Sequence, residues 1–329
     1  MTGRRSIFCD CGDSRQVRNV GFLLLPKFAM FGFTAAIECM RATNRFSDSV
    51  LYEWRLISID GNPVAASNGI AIETDAKVGA DVRLDILFVV GGTDVHRFDD
   101  TPTFRWLRAL ARKGIPLGAI STAAHTLARA GLLDGYRCTI HWENIPAFGE
   151  EFPRARLTGG VYEIDRDRLT CAGGTSALDL MLQIVSRDHG ETLAAIVSDN
   201  FMHDRVRLPG DSQRMGAEAR FAAKSPKLAQ AVRMMERNVE SPVSPSGIAA
   251  QIGVSTRQLE RLFCKHLACP PQRYYLNLRL HHARHLLRET GGSVLDVALA
   301  SGFSTQSHFA KCYREFFGHT PKEERLLIG

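Results

Sequence analysis

One short pattern occurs twice near the carboxyl end of this 329-residue chain, about fifty residues apart. Residues 248–259 hold the first copy and residues 297–309 the second. The positions that the copies share are Ala249, Gly253 and Ser255 in the first and Ala298, Gly302 and Ser304 in the second. Each copy begins as a short apolar helix, turns at a glycine that tolerates positive φ, and continues through a capping serine into an amphipathic helix. This order predicts two helix-turn-helix motifs in an all-α segment.

The two copies agree at positions that face a core and differ at positions that face solvent. The second copy has one extra residue after its cap, and the matching apolar pairs are then Leu259 with Phe309, Phe263 with Tyr313, Leu267 with Phe317 and Pro271 with Pro321. The predicted outer faces carry Thr256, Arg257, Glu260, Arg261 and Lys265 in the first copy, and Thr305, Gln306, Ser307, His308, Lys311 and Arg314 in the second. Such side chains reach base edges and phosphates when a helix lies in the major groove of DNA. The alternative is an ordinary solvated face on a pair of helical hairpins.

With these motifs in place, residues 227–325 resemble the AraC-type DNA-binding domain. The likeness covers a leading helix, both helix-turn-helix motifs, a connecting helix over residues 271–289 and the closing run at residues 318–321. The resemblance implies double-stranded promoter DNA and RNA polymerase as partners. One departure is Glu324 before Arg325, where the family usually has an aromatic residue, and from it we expect a more loosely packed last helix.

Charge divides the chain at the same place as the repeats. Residues 220–329 contain 16 Lys and Arg and 8 Asp and Glu, a net charge of +8, whereas residues 1–219 contain 25 and 27, a net charge of −2. A polyanion would be attracted to the segment with the repeated helices, and its binding should weaken steeply as salt is added.

Length and composition exclude several other classes of protein. With 45% apolar residues, a chain of 329 residues can form two domains with sizeable cores. No apolar run approaches the roughly eighteen residues of a membrane span, and residues 1–16 lack a signal-peptide core, so we expect a flexible tail, no membrane partner and no secretion. The eight cysteines lack paired CxxC motifs, which predicts a reducing cytoplasm and no metal or other cofactor. Cys9 and Cys11 leave metal binding or oxidant sensing by the tail as an alternative.

Strand and helix patterns alternate through roughly the first two hundred residues. Strands are predicted at residues 17–25, 52–59, 85–90, 115–120, 161–164 and 168–172, and helices at residues 34–44, 102–113, 122–130 and 176–187. This alternation is typical of a parallel sheet covered on both faces, with any binding site at the carboxyl ends of its strands. The periodicity fades after residue 204, and the predicted segments are a flexible tail at 1–16, an α/β domain at 17–204, a linker at 205–226 and a DNA-binding domain at 227–325.

Ser121 lies where a predicted strand meets a predicted helix, the turn that raises a side chain above a sheet. His141 follows twenty residues later in the chain. Together they suggest a hydrolytic pair, with Ser121 as nucleophile, His141 as base and an Asp or Glu as the orienting group. An amidase or hydrolase tethered to a DNA-binding module is therefore one candidate function.

Residues 17–203 resemble the PfpI-like, class I glutamine-amidotransferase-like domain, which implies a flavodoxin-like α/β parallel-sheet sandwich. The matching segments are the Ser121 turn and residues 89–92, 130–135, 139–142 and 170–181. Catalytic members have Cys at the position of Ser121, Gly at that of Ala123, and an acidic residue after the first strand, where this chain has no carboxylate before Glu38. Because a serine hydroxyl needs a well-placed base far more than a thiol does, we expect no catalytic residue here.

A site that has lost its nucleophile can still bind a ligand. The candidate ligand-binding residues are Gly92, Asp94, Ser121, His141, Trp142 and Glu143. Backbone N–H groups at Gly92 and Ser121 suit a carboxylate. Aromatic faces for a cation would come from Phe31, Phe33 and Trp142, each of which core packing also explains.

The combination of the two domains resembles an amidotransferase-like subgroup of AraC regulators, whose members respond to arginine or to quaternary amines such as carnitine and glycine betaine. The resemblance implies a homodimeric regulator, an activator of catabolic genes, that binds a small amine or amino-acid effector. Two alternatives stay open. One is the tethered hydrolase, and the other is a front domain that serves only as a dimerisation platform.

Overall fold

The computed structural model describes residues 17–213, 221 and 225–326, so the predicted tail with Cys9 and Cys11 lies outside the described residues. The chain forms two compact units, Met1–Gln213 and Arg214–Gly329. No helix within the described ranges is long and apolar enough to cross a membrane. The division into tail, α/β domain, linker and DNA-binding domain stays a prediction.

The first unit is organised around a seven-stranded sheet with the order β10-β11-β7-β6-β1-β2-β5. The strands of this unit are β1 (Arg18–Leu24), β2 (Tyr52–Ser58), β3 (Val64–Ala65), β4 (Ala71–Ile72), β5 (Ala76–Lys77), β6 (Ile86–Val90), β7 (Leu117–Ile120), β8 (Arg137–Cys138), β9 (Arg156–Leu157), β10 (Tyr162–Asp165) and β11 (Arg168–Cys171). Neighbours in the large sheet are parallel, except β10 and β11. Of the remaining strands, β3 pairs with β4 and β8 with β9.

Helices cover both faces of this sheet. They are α1 (Met30–Phe46), α2 (Thr101–Arg112), α3 (Ala124–Arg129), α4 (Ile145–Glu151), α5 (Thr175–His189) and α6 (Glu191–Asn200). One apolar core lies between the sheet and α1, α5 and α6, and a second lies between the sheet and α2, α3 and α4. All five residues of β6 are buried, as expected for a central strand between two helical layers. The predicted flavodoxin-like α/β fold is confirmed.

The edge of the sheet differs from the predicted arrangement. Residues 162–171 form an antiparallel hairpin, in which Tyr162 pairs with Cys171 and the turn includes Arg166 at a φ of 55°. The apolar pattern predicted both strands, but side-chain alternation is the same in parallel and antiparallel strands and does not reveal direction.

The second unit is helical throughout its described residues. Its helices are α7 (Pro226–Arg237), α8 (Pro245–Gln251), α9 (Thr256–Leu267), α10 (Pro271–Glu289), α11 (Val294–Ala300), α12 (Gln306–Phe317) and α13 (Pro321–Leu326). Two apolar cores form, one around α7, α8 and α9 and the other around α11 and α12. The long helix α10, which has the predicted bounds, contributes Tyr275 to the first core and Leu280 to the second.

Both helix-turn-helix motifs turn at a glycine with positive φ, 67° at Gly253 and 75° at Gly302. Ser255 caps α9, as predicted, by accepting the N–H of Gln258 in a capping box. The prediction of a Ser304 cap was wrong, because Thr305 caps α12 and accepts the N–H of His308. The extra residue of the second copy moves the cap by one place.

The expectation of a loosely packed last helix was also wrong. The side chain of Glu324 on α13 is fully buried. It accepts hydrogen bonds from Tyr313 Oη at 2.7 Å and from Arg288 Nε at 2.7 Å. Arg284 and His319 contact it as well. A buried carboxylate therefore anchors the last helix here in place of the usual aromatic residue, because its hydrogen bonds join α13 to α10 and α12.

Candidate functional site

Ser121 follows β7 at a strained strand-to-helix turn. Its φ is 65°, a left-handed value that is uncommon for a residue other than glycine. The side chain is buried and opens the 3-10 turn Ser121–Ala123 before α3. The turn after β11 packs closely against it, because a Cβ on Gly173 would lie 2.7 Å from the Cβ of Ser121. The predicted elbow is therefore present, with a hydroxyl at its tip.

Gly173 also lines a cleft of about 180 Å³. Its walls are formed by His141, Trp142, Val161, Ala172, Gly173, Gly174, Thr175, Ser176, Arg207 and Gln213. Residues 173–176 lead into the first turn of α5, where the positive end of the helix dipole favours negative charge. The cleft thus brings together a helix N-terminus, an indole, a guanidinium and an amide.

A buried carboxylate holds Arg207 at the cleft wall. Asp179 on α5 has no exposed surface and accepts the backbone N–H of Arg207 at 2.9 Å and its Nε at 2.8 Å. Nη2 of Arg207 also donates to Thr175 Oγ1 at 2.6 Å. His203 Nε2 lies 2.8 Å from the same carboxylate. Because a buried charge needs such partners, this network fixes the position of the guanidinium.

Gln213 is fixed at a different part of the wall. Its Nε2 donates to the carbonyl oxygens of Ile140 and Gly160, each at 2.9 Å. Its Oε1 is buried and has no hydrogen-bond partner among the residues that the structure describes. A buried acceptor without a partner costs about 1–3 kcal/mol, so a ligand that donates a hydrogen bond to it would be favoured.

Three of the six predicted ligand-binding residues lie at or beside the cleft. His141 and Trp142 line it, and Ser121 packs against Gly173, one of the lining residues. Burial lowers the pKa of His141, while the nearby Glu143 carboxylate opposes that shift. Glu143, which does not line the cleft, lies 3.5 Å from His141 Nδ1 and is nearly half exposed.

Gly92 and Asp94 are not among the residues that line the cleft. The carbonyl of Gly92 accepts a hydrogen bond from Thr122 Oγ1 at 2.7 Å, and a Cβ on this glycine would collide with the backbone of Phe28. Asp94 pairs with Lys27 Nζ at 2.7 Å. Both residues therefore have structural contacts that account for them, and their role in ligand binding stays a prediction.

Two of the three candidate aromatic residues are available to a ligand. The ring of Trp142 lines the cleft and is 37% exposed. Phe31 is 62% exposed and lies beside the wall, since a Cβ on Gly174 would come within 3.9 Å of its ring. Phe33 is a core residue instead, packed edge to face against Phe22 and Phe28.

Sequence reasoning missed four cleft residues that carry polar side chains. They are Thr175, Ser176, Arg207 and Gln213. The sequence does contain a signal for Thr175 and Ser176, because they follow Gly173 and Gly174. Paired glycines between a strand and a helix mark a place where the backbone can approach a ligand. Arg207 and Gln213 have no comparable signal, since they lie where periodicity fades.

The predicted DNA-contacting residues have the surface position that this role requires. All eleven are exposed, on α9 in the first motif and at the start and outer face of α12 in the second. Behind them, Leu259 and Phe263 are buried under α9, and Phe309 and Tyr313 under α12. Each second helix therefore buries one face and presents a polar one, the arrangement that docking in a major groove uses.

The turn of the second motif is fixed from two sides. Arg279 on α10 donates to the carbonyl oxygens of Ser301 at 2.9 Å and Gly302 at 2.7 Å. A Cβ on Gly302 would lie 2.5 Å from the carbonyl oxygen of Val239 and 2.6 Å from Pro242, in the loop between α7 and α8. The two motifs therefore pack against common elements and hold a defined relation to each other.

Both units of the chain match known protein families. Residues 248–326 match a helix-turn-helix domain family, and residues 19–187 match the DJ-1/PfpI family. The HTH-type transcriptional regulator GbdR of Pseudomonas aeruginosa is 43% identical over 313 residues, which cover 95% of this chain and 85% of GbdR. The regulator CdhR of the same species is 44% identical over 307 residues, 93% of this chain and 91% of CdhR. The chain belongs to the AraC family of transcriptional regulators.

The regulator also resembles a solved structure, that of an AraC family transcriptional regulator from Pseudomonas putida. The TM-score is 0.51 with 34% identity, over 56% of this chain and 99% of the other. Both resemblances inferred from the sequence, AraC-type and PfpI-like, are thereby confirmed. The regulator is a DNA-binding transcriptional regulator with an α/β domain of the DJ-1/PfpI family, and its relatives give no support to a tethered hydrolase.

Proposed function

We propose that the regulator is a cytoplasmic activator whose first unit binds a small zwitterion with one carboxylate and one cationic amine. The observation that supports this effector is a single cleft lined by both Arg207 and Trp142. A guanidinium binds carboxylates through paired hydrogen bonds, and an indole face attracts an alkylammonium within about 6 Å. Carnitine, glycine betaine and arginine each carry both groups.

In this proposal the second unit reads promoter DNA through the eleven exposed residues of α9 and α12. The effector must bind one state of the regulator more tightly than another, because a ligand with equal affinity for both would not change transcription. The other partners are a second copy of the chain and RNA polymerase, as the family resemblance implies.

The cleft binds its effector without turning it over. Ser121 occupies the position of a catalytic cysteine, and no hydrogen bond joins it to His141 in the part of the chain that the structure describes. A serine without such a base is a poor nucleophile. Ser121→Ala is therefore expected to leave induction of a reporter gene unchanged. Loss of induction together with loss of a measurable turnover would favour the hydrolase instead.

Calorimetric titration of the full chain tests the proposed effector class. Carnitine, glycine betaine, arginine and choline would each be titrated into the regulator alone and into its complex with a duplex obtained by binding-site selection. We expect at least one zwitterion to bind and to change the affinity for DNA. If none binds and none alters DNA affinity, the first unit is not a sensor of these compounds, and its role as a dimerisation platform gains support.

Trp142→Ala and Trp142→Phe form a matched pair for the same assay. Removing the ring should weaken effector binding at least tenfold and abolish the response, because the cation loses its aromatic face, whereas phenylalanine should keep most of both. Basal DNA affinity should stay constant in both variants. An unchanged response in Trp142→Ala would remove Trp142 from the binding site.

A further inference from the structure

Residues 205–213, here called the strap, carry both Arg207 and Gln213 and end the first unit. Backbone contacts attach the strap next to β10: the N–H of Val161 donates to Asp211 at 3.1 Å, and Gly160 pairs with Ser212. In the sequence, the strap is followed by residues 214–225 and then by α7, the first helix of the second unit. The strap therefore carries two cleft residues on the last described segment of the first unit, which precedes the DNA-binding helices in the sequence.

The guanidinium of Arg207 has an edge that the protein leaves unused. Its Nε and Nη2 donate to Asp179 and Thr175. Nη1, which carries two N–H groups, has no acceptor among the described residues, and the side chain remains 25% exposed at the cleft. An arginine already oriented by one carboxylate presents its remaining N–H groups in a fixed geometry, so a ligand carboxylate binds it with little loss of side-chain entropy.

We propose that Arg207 binds the carboxylate of the effector through Nη1, and that the strap, by carrying this contact, relays occupancy of the cleft to the DNA-binding unit. This inference rests on the proposed function. The first turn of α5 next to Thr175 adds favourable partial positive charge, which offsets the presence of Asp179 nearby. A ligand held by Arg207 adds a contact between strap and cleft, and so favours the attached arrangement of residues 205–213 over a detached one.

Arg207→Lys tests the carboxylate contact. Lysine keeps a positive charge beside Asp179, which protects the fold, but it lacks the planar pair of N–H groups. Arg205→Lys is the matched control, because Arg205 lies on the same strap, is 74% exposed and pairs only with Asp211 among the described residues. The probes are glycine betaine, L-carnitine, L-arginine and choline, which has the cation of glycine betaine without the carboxylate.

The expected result is a carboxylate probe that binds wild type and Arg205→Lys alike and binds Arg207→Lys at least tenfold more weakly. Choline should bind wild type at least tenfold more weakly than that probe. A zwitterion that binds Arg207→Lys as tightly as wild type would overturn the Arg207 assignment while leaving the proposed function intact. Failure of every probe to bind wild type would instead overturn the effector class, and this inference with it.

Gly160→Ala and Gly159→Ala test the relay. A Cβ on Gly160 would collide with the carbonyl oxygen of Pro209 in the strap, whereas a Cβ on Gly159 would meet nothing within 4 Å. Neither glycine has positive φ, so backbone strain is not expected in either alanine variant, and the collision with Pro209 is the steric difference between them. Hydrogen exchange of the amides in residues 205–213 reports whether the strap has moved.

In Gly160→Ala we expect strap amides to exchange at least tenfold faster and the effector-induced change in DNA affinity to fall at least fivefold. Gly159→Ala should match wild type in both measurements. A full effector response in Gly160→Ala, observed while its strap exchanges rapidly, would overturn the relay. Any zwitterion that binds wild type can be used for this comparison, whichever of the probes it proves to be.

Discussion

Glu324 is a carboxylate with no exposed surface, and its ionisation stabilises the end of the second unit. Burial alone would raise its pKa, but hydrogen bonds from His319, Tyr313, Arg288 and Arg284 outweigh that effect and lower the pKa to about 2. The unfolded chain has an ordinary glutamate with a pKa of about 4.3. The stabilisation is therefore fully present above about pH 5 and is lost as the pH falls toward 2.

Glu324→Gln should accordingly destabilise the second unit by about 3 kcal/mol at pH 7, since the two pKa values differ by roughly two units. The difference from wild type should shrink as the pH is lowered toward 3. Urea denaturation at several pH values, followed by helical circular dichroism, measures both effects. The control is Glu323→Gln, an exposed neighbour whose carboxylate accepts the backbone N–H of Thr320. Equal destabilisation by the two variants would contradict the role given to Glu324.

Among individual residues, the sequence revealed those that a local pattern marks and missed those that tertiary contacts hold in place. Ser121, His141 and Trp142 were predicted because a strand-to-helix turn and a matching segment mark them. They lie at or beside the cleft, and their role in binding stays a prediction. Arg207 was missed, because nothing local shows that Asp179, 28 residues earlier, is buried and holds it. The expectation for Glu324 came from the aromatic residue that it replaces in the family. Its own burial and its hydrogen-bond partners on other helices overturn that expectation.

Among the elements, α9 and α12 are the ones whose exposed faces differ between the two motifs. Arg257 and Gln306 lie at their first turns, where recognition helices place base-contacting side chains. Changing either to alanine should cost about 1–3 kcal/mol on a selected duplex and much less on a random one. Fluorescence anisotropy with both duplexes measures the difference. Equal losses on the two would show that the side chain contacts only phosphate.

The two turn glycines differ in what surrounds them, and alanine should separate their roles. Gly253→Ala places a non-glycine residue at a φ of 67° with only Lys227 Nζ near its Cβ, at 3.8 Å, and should cost about 1–2 kcal/mol. Gly302→Ala adds a collision with Val239 to similar strain, so its cost should be clearly larger. Chemical denaturation compares the two. If Gly253→Ala lost as much free energy of unfolding as Gly302→Ala, or more, the loop that holds Val239 would have to move aside at little cost.

Helix and strand positions were predictable to within a few residues because each element buries a periodic apolar face. The connecting helix α10 has its predicted bounds, with Pro271 at its first position. The predicted helix at residues 34–44 begins instead at Met30, because α1 starts without a side-chain cap that the sequence would reveal. The antiparallel direction of β10 and β11 was not predictable, because side-chain periodicity does not encode strand direction.

In the whole molecule, the distribution of charge predicts that DNA binding and effector binding depend differently on salt. Residues 220–329, which hold the DNA-binding helices, have a net charge of +8, and residues 1–219 have −2. DNA binding releases counterions, and with roughly six phosphate contacts the affinity should fall about 10³-fold between 50 and 200 mM salt. Effector binding pairs a neutral zwitterion with a partly buried arginine, so screening should change its affinity far less.

Anisotropy with the selected duplex and calorimetry with the best zwitterion, both run at 50 and 200 mM salt, compare these two dependences in one protein. The expected outcome is a loss of orders of magnitude for DNA and of less than about threefold for the effector. If the two affinities fell in parallel, the effector would be held by long-range charge rather than by the contacts of Arg207 and Trp142. The effector-binding site would then have to lie outside this cleft, in the positively charged residues 220–329.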